Sequence, residues 1–241
     1  MIKTLIAALI IVFFFIFTIP VLFILWIIGK INMKVHDTIA YGIMRGAFAF
    51  ILFVCGVKIT VNGRENIPTD TPVLYVGNHR SFFDIIVLYR YSVGVTGFIS
   101  KKEWKKVPVL GHWISCLHGI FLDRENIKEG LKAILEAIDN VKTQGVSYAI
   151  FPEGTRNHNK EMLPFKEGSM KIATKGGCPI IPVAMTHTDD LLENHMPYIS
   201  GGKVSITFGE PIYPDKISKE ETKFLGAKTR DIIQGMIDEM D

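Results

Sequence analysis

The stretch PVLYVGNHRSFFD (residues 72–84) decides how the chain is read. A nearly continuous apolar run ends at Gly77, the polar residues Asn78, His79, Arg80 and Ser81 follow, and a second apolar segment begins at Phe82. A short run without alternation fits a strand buried on both faces. The same pattern of apolar run and polar knot recurs in GIFLDR (119–124) and in VSYAIFPEGTRN (146–157). Further strand-like runs are VKITV (57–61), GVTGFIS (94–100), PIIPVAM (179–185) and KVSITFG (203–209). Between them, residues 126–143 read as an amphipathic helix with Ile127, Leu131, Ile134, Leu135, Ile138 and Val141 on one face. Asn126 and Glu129 form its cap pair and Gly145 follows its end. A closing helix starts at Ser218, with Glu221 three residues on, and carries Phe224, Leu225, Ile232, Ile233, Met236 and Ile237. This alternation predicts an α/β fold, a mixed central sheet covered by helices on both faces.

A different segment precedes it. The 26 residues from Thr4 to Gly29 carry no charge and no polar face, enough to span a bilayer core. The run is too long for a signal peptide and lacks a small-residue cleavage site. Pro20 marks a kink, compatible with a half-dipping anchor as well as a straight span. A second apolar stretch (39–57) contains Arg45 and reads either as an interfacial helix, with Arg45 snorkelling to headgroups, or as a core helix of the domain. The expected division is therefore 1–55 as a two-helix membrane-anchoring segment and 56–241 as the α/β domain. Lys30 and Lys34 outnumber Lys3, which predicts a cell-membrane protein with its domain on the cytoplasmic side.

Composition narrows the function classes. The 241 residues carry 27 Lys+Arg against 24 Asp+Glu and are 48% hydrophobic, which excludes disorder. Six cations stand against Asp37 alone in residues 1–64, so the positive charge sits at the apolar end, as for a membrane surface. No basic stripe interleaved with aromatics suggests nucleic acid. The cysteines Cys55, Cys116 and Cys178 are far apart in apolar company and read as reduced core thiols. No metal-ligand spacing, Gly-rich phosphate loop or serine elbow occurs, so neither a metal nor a cofactor is expected.

The polar knots all follow apolar strands, and ligands of open α/β sheets bind beyond the carboxyl ends of strands. His79 and Asp84 would point about 140° apart on a continuous helix. They meet only if the chain bends, and Ser81 can supply the bend as an N-cap. A carboxylate on one imidazole nitrogen orients the ring and leaves the other nitrogen as a base. No Ser or Cys is placed to receive that activation, so the nucleophile of such a dyad is a substrate hydroxyl. The same residues also fit a helix cap and a satisfied loop histidine. Arg124 and Arg156 leave different strands toward one crevice, where two guanidinium forks suit a phosphate monoester; each alone also fits a surface ion pair. Gly154 lets a ligand approach the backbone. Lys101, in the cluster Lys101, Lys102, Lys105 and Lys106 around Trp104, reads as a site residue or as a solvated face.

These residues identify a family. The chain resembles the PlsC-type glycerophospholipid acyltransferases, among them the 1-acylglycerol-3-phosphate (lysophosphatidic acid) acyltransferases. The family's His-x4-Asp block appears as Asn78 to Asp84, its second block as Gly119 to Arg124, its third as Phe151 to Asn157 and its fourth as Ile181 to Ala184. Lys101 and Glu103 precede a Pro108–Gly111 segment, and Phe165 to Gly168 follows the third block, as in the family. The resemblance implies that His79, oriented by Asp84, deprotonates the sn-2 hydroxyl of lysophosphatidic acid. The alkoxide then attacks the thioester of acyl-CoA or acyl-carrier protein to give phosphatidic acid. It implies Arg124, Arg156 and Lys101 as phosphate-binding residues, and Glu153, Gly154, Thr155 and Ser81 as substrate-positioning residues. Asn157 replaces the family's serine, and Arg80 stands where lysophosphatidic acid enzymes often carry Gln. Alternatives are another lysophospholipid or glycerol 3-phosphate as acceptor, a hydrolase, or a non-catalytic lipid-binding module.

Overall fold

A computed structural model describes residues 1–123, 126–157, 159 and 161–240. Each apolar run singled out above contains a strand: β1 (Lys58–Asn62), β2 (Leu74–Gly77), β3 (Thr96–Lys101), β4 (Ile120–Leu122), β5 (Ser147–Ile150), β6 (Ile180–Thr186) and β7 (Lys203–Phe208). They form one sheet in the order β1-β7-β6-β2-β5-β3-β4. The run from β6 to β4 is parallel, whereas β7 is antiparallel to β6 and parallel to β1. The sheet is therefore mixed, with its continuous apolar strands in the parallel part, as expected of strands covered on both faces.

Within a uniformly buried strand, successive side chains still go to opposite layers. In β2, Tyr75 joins one core cluster while Leu74 and Val76 join the other; in β6, Ile181 and Val183 oppose Ile180 and Ala184. The first layer contains α3 (Phe83–Tyr91) and α4 (Leu110–Cys116), the second α5 (Ile127–Gln144), α6 (Lys171–Gly176) and α7 (Leu225–Met240).

Helix boundaries follow the cap chemistry, but two helix faces differ from the sequence reading. The Asn126 side chain accepts from the backbone N–H groups of Lys128 and Glu129, and Gly145 ends α5 at φ 66°. Glu129 itself pairs with Lys132 rather than closing the cap. The buried stripe of α5 is Ala133, Ala137 and Val141, leaving Leu131 52% and Leu135 54% exposed. The alanines let α5 approach its neighbours closely, so the contact is centred on the small residues rather than on the leucines. Ser218 and Glu221 exchange hydrogen bonds as expected, but they open a 3-10 turn (Glu221–Phe224) before α7, and Phe224 faces solvent.

The N-terminal segment is a helical hairpin, α1 (Ile2–Ile31) and α2 (Met33–Cys55), and α1 is helical on both sides of Pro20. Lys3 Nζ donates to the Cys55 carbonyl, which brings the start of α1 beside the end of α2. The hairpin lies along the domain. Near its open end, the Ile199 N–H donates to Thr4 Oγ1; midway, the Trp113 indole N–H donates to Thr18 Oγ1 at 3.0 Å. At its tip, Asp37 Oδ1 contacts His36 Nδ1 at 2.8 Å and His118 Nε2 at 2.9 Å. Ala7, Leu25, Ala40, Met44 and Leu52 enter the same core cluster as Tyr75, Val87 and Trp113. Arg45 Nη2 donates to the Arg90 carbonyl at the end of α3, and its guanidinium lies over Tyr41. The last carbonyls of a helix lack intrahelical partners and favour a cation. The outer face of the hairpin, including Leu5, Leu9, Phe13, Phe17, Phe23, Trp26 and Phe53, is exposed. By length and composition both helices are long and apolar enough to cross a membrane.

Thr18→Val should leave the buried Trp113 donor without its acceptor and lower the unfolding free energy by about 1–3 kcal/mol. A lower thermal midpoint in detergent checks this; an unchanged one would show that the hairpin is not tied to α4 through that bond.

Candidate active site

Two neighbouring strands create the crevice. The chain leaves β2 through α3 to reach β3, and leaves β5 through α6 to reach β6, so the two connections depart on opposite sides of the sheet. Adjacent strands that diverge in this way open a cleft at their carboxyl ends. His79 follows β2 and Glu153 follows β5 into that cleft.

The segment after β2 is held at every residue. Asn78 extends the ladder beyond the end of the strand: its side chain donates to the Met185 carbonyl at 2.8 Å and accepts from the Met185 N–H at 2.9 Å. The His79 N–H donates to Glu153 Oε1 at 2.8 Å, and the Asn157 N–H donates to the His79 carbonyl at 2.7 Å. Ser81 makes the expected bend, accepting the Phe83 N–H on Oγ at 3.0 Å, while Phe82 is the helix N-cap residue. The chain thus turns between His79 and Asp84, and His79 Nδ1 lies 2.9 Å from Asp84 Oδ2. The same Asp84 oxygen accepts the N–H groups of Arg80 and Ser81, each at 2.7 Å. Asp84 is fully buried, so its charge is offset by these three donors. The imidazole stacks on Phe151, centroids 4.3 Å apart and planes at 13°. With Nδ1 on the carboxylate and the ring face covered, Nε2 is the nitrogen available to a ligand.

The remaining residues divide. Glu153 is buried and fully engaged, with Oε1 on His79 and Oε2 accepting the Leu163 N–H; it shapes the cleft rather than facing it. Gly154 sits at φ 77° beside the end of the Lys166 side chain, where an added Cβ would lie 2.9 Å from Nζ. Thr155 is exposed in the same turn. Arg156 meets the dyad's turn: its Nη1 lies 2.9 Å from Glu193 Oε1 and its guanidinium covers Phe82 at 4.0 Å. Lys101, at the end of β3, is 53% exposed and pairs with Glu103 at 3.7 Å, apart from the dyad. Arg80 is drawn away by the Asn159 carbonyl and Asp189. Arg124 lies outside the described residues.

Sequence reasoning missed Glu193. It lies in the connection after β6, a fourth strand whose carboxyl end carries a polar run, Thr186 to His195, and that repetition was the signal for it. A cavity of about 530 Å³ adjoins the turn, walled by Phe82 and Ile85 from the dyad's side, Trp104 and Trp113 beyond, and Phe14 and Phe48 from the hairpin. Burial pushes the Cys116 and Cys178 thiols up to about 11 and about 12, which disfavours their thiolates. Among the described residues, no group of three or more His, Cys, Asp or Glu side chains is arranged to hold a metal ion.

The sequence model of one family, described as Acyltransferase, matches residues 58–186, more than half of the chain and the part that contains both His79–Asp84 and the Phe151–Arg156 turn. The chain belongs to the acyltransferase family. Similar acyltransferases include the 1-acyl-sn-glycerol-3-phosphate acyltransferase of Borreliella burgdorferi, 32% identical over 81% of this chain and 78% of that protein. The protein of that name from Saccharomyces cerevisiae is 33% identical over 73% of this chain and 58% of its own length. The alpha enzyme of Homo sapiens is 28% identical over 78% and 66%. The chain thus spans between half and two thirds of the yeast and human relatives. The crystal structure of the 1-acyl-sn-glycerophosphate acyltransferase PlsC from Thermotoga maritima superposes with a TM-score of 0.85 at 28% identity, covering 99% of this chain and 95% of that one. That likeness takes in the helical hairpin as well as the sheet.

Asn78→Ala should strand a buried donor and acceptor of Met185 and lower stability by roughly 2–6 kcal/mol. His79→Ala removes a side chain at the cleft surface and should move the denaturant midpoint far less. Equal losses in the two variants would contradict this division between frame and reacting group.

Proposed function

We infer that the protein is a 1-acyl-sn-glycerol-3-phosphate O-acyltransferase, moving a fatty acyl group from acyl-CoA or acyl-carrier protein to lysophosphatidic acid. The observation that carries this reading is the oriented His79 with no protein hydroxyl or thiol, among the described residues, bonded to its Nε2. A base without its own nucleophile serves one that arrives with the substrate. His79 Nε2 takes the proton of the sn-2 hydroxyl, and the oxygen bonds to the thioester carbonyl carbon. The C–S bond then breaks, and the leaving thiolate receives the proton held on His79. Asp84 stabilises the imidazolium between the two transfers.

The surroundings fit the two substrates. Arg156 offers the guanidinium nitrogens not used by Glu193 to the acceptor phosphate, and Arg124 joins it by its place in the sequence, just after β4. Gly154 and Thr155 place the glycerol, and Ser81 acts through the turn. Lys101, facing solvent beyond β3, serves phosphate as a more distant cation. The cavity, lined almost wholly by apolar side chains, suits an acyl chain.

The hairpin supports action at a lipid surface. Both its open end and its tip contact the domain, which favours an in-plane position in one leaflet over a crossing. The excess of Lys30 and Lys34 at the tip over Lys3 at the open end supports the cytoplasmic face as the side on which the protein works.

With labelled acyl-CoA and lysophosphatidic acid, wild type should form phosphatidic acid and His79→Ala should be slower by about 100- to 10,000-fold. Near wild-type turnover in the variant would refute the assignment of the base. Arg156→Ala should raise the acceptor KM by roughly 10- to 100-fold, with little effect on the donor KM; a donor-selective loss would reassign it. Phe17→Asp with Phe23→Asp, both exposed on α1, should reduce co-flotation with lipid vesicles while the thermal midpoint holds. Undiminished flotation would remove the hairpin from the membrane contact.

A further inference from the structure

We propose that Glu193 is a positioning residue of this site: it fixes the orientation of Arg156 and tempers that arginine's hold on the acceptor phosphate. The proposal rests on the acyl-transfer reading given above and adds a residue to it. Glu193 opens a 3-10 turn, Glu193–His195, in the connection between β6 and β7, and its side chain is 3% exposed. Oε1 accepts from the Phe82 N–H at 2.9 Å and from Arg156 Nη1 at 2.9 Å, and Oε2 accepts from Ser81 Oγ at 2.5 Å. One buried carboxylate thus grips both the bend that separates His79 from Asp84 and the arginine that follows β5.

Two consequences follow from this geometry. Arg156 is fixed at one edge by Glu193 and on one face by Phe82, so its remaining N–H donors point in a set direction before any ligand binds. A pre-oriented fork forfeits less freedom on binding a phosphate. The carboxylate also stays within 2.9 Å of the guanidinium and offsets its charge. An anion arriving at Arg156 therefore meets a nearby negative charge in a partly buried setting, where screening is weak. That repulsion acts alike on acceptor and product, since both keep the phosphate. It prevents the anionic product from being held as tightly as an uncompensated arginine would hold it.

Glutamine and alanine separate the two roles. Glu193→Gln keeps an oxygen for Phe82 and Arg156 and removes the charge; Glu193→Ala removes both. Acyl transfer should be assayed with acyl-CoA and lysophosphatidic acid, and binding of inorganic phosphate measured by calorimetry without the donor. For Glu193→Gln the proposal expects the acceptor KM and the phosphate dissociation constant to fall by about tenfold. For Glu193→Ala it expects kcat to fall by about 100-fold through misplacement of the reacting groups, with kcat largely restored in Glu193→Gln. Wild-type kcat and KM in Glu193→Ala would overturn the proposal, as would weaker phosphate binding in Glu193→Gln. A fall in thermal midpoint shared by both variants, without the opposite movement of KM and kcat, would reduce Glu193 to a structural support and equally overturn it. If wild type transferred no acyl group to lysophosphatidic acid yet the phosphate titration moved as stated, the acyl-transfer reading would fail while the Glu193–Arg156 relationship stood.

Discussion

Four consecutive backbone N–H groups, those of residues 79 to 82, end on three carboxylates: Glu153 takes the first, Asp84 the next two and Glu193 the fourth. A run of N–H groups facing one way is a positive concavity that attracts anions. Here the protein fills it with its own acids, and two of them, Asp84 and Glu193, also hold the imidazole and the guanidinium that face the ligand. A buried carboxylate needs donors to offset its lost hydration; Asp84 takes all three of its contacts on Oδ2, and its Oδ1 has no partner among the described residues. The turn, the dyad and the arginine therefore share the carboxylates that anchor them.

The three acids come from α3, the end of β5 and the β6–β7 connection. They converge because β2 lies between β5 and β6 in the sheet, although β3, β4 and β5 follow it in the chain. Asn78, bridging the end of β2 to the Met185 backbone of β6, holds that neighbourhood one residue past the strand. The sheet order is thus the reason a histidine and an arginine far apart in sequence share one cleft.

The hairpin belongs to the same construction. Phe14 and Phe48 help to wall the cavity, and Trp113 is bonded to Thr18, so the apolar slot is completed by the two helices whose outer face is exposed and apolar. The cavity wall and the exposed apolar surface are thus different faces of one element. Trp104 and Phe82, ring centroids 6.1 Å apart, stand on the cavity wall beside the dyad's turn.

Much of this was legible in residue order. Strand positions follow from apolar runs bounded by glycine, proline and polar knots, and caps follow from Asn126, Gly145 and Ser218, because such signals act over a few neighbouring residues. The His79–Asp84 pairing is equally local, resting on a bend between residues close in sequence. What the sequence left open depended on partners distant in the chain. Glu153 belongs to a matched motif, yet its carboxylate faces inward because His79 and Leu163 reach it first. Arg45 bonds the carbonyl that ends α3, and α5 turns its alanines inward because close packing with α6 suits small residues. Glu193 gains its meaning only from where the β6–β7 connection passes. Local chemistry alone determined which strands form and which base is oriented; the tertiary fold decided which buried charge meets which, since that depends on how the sheet orders its strands.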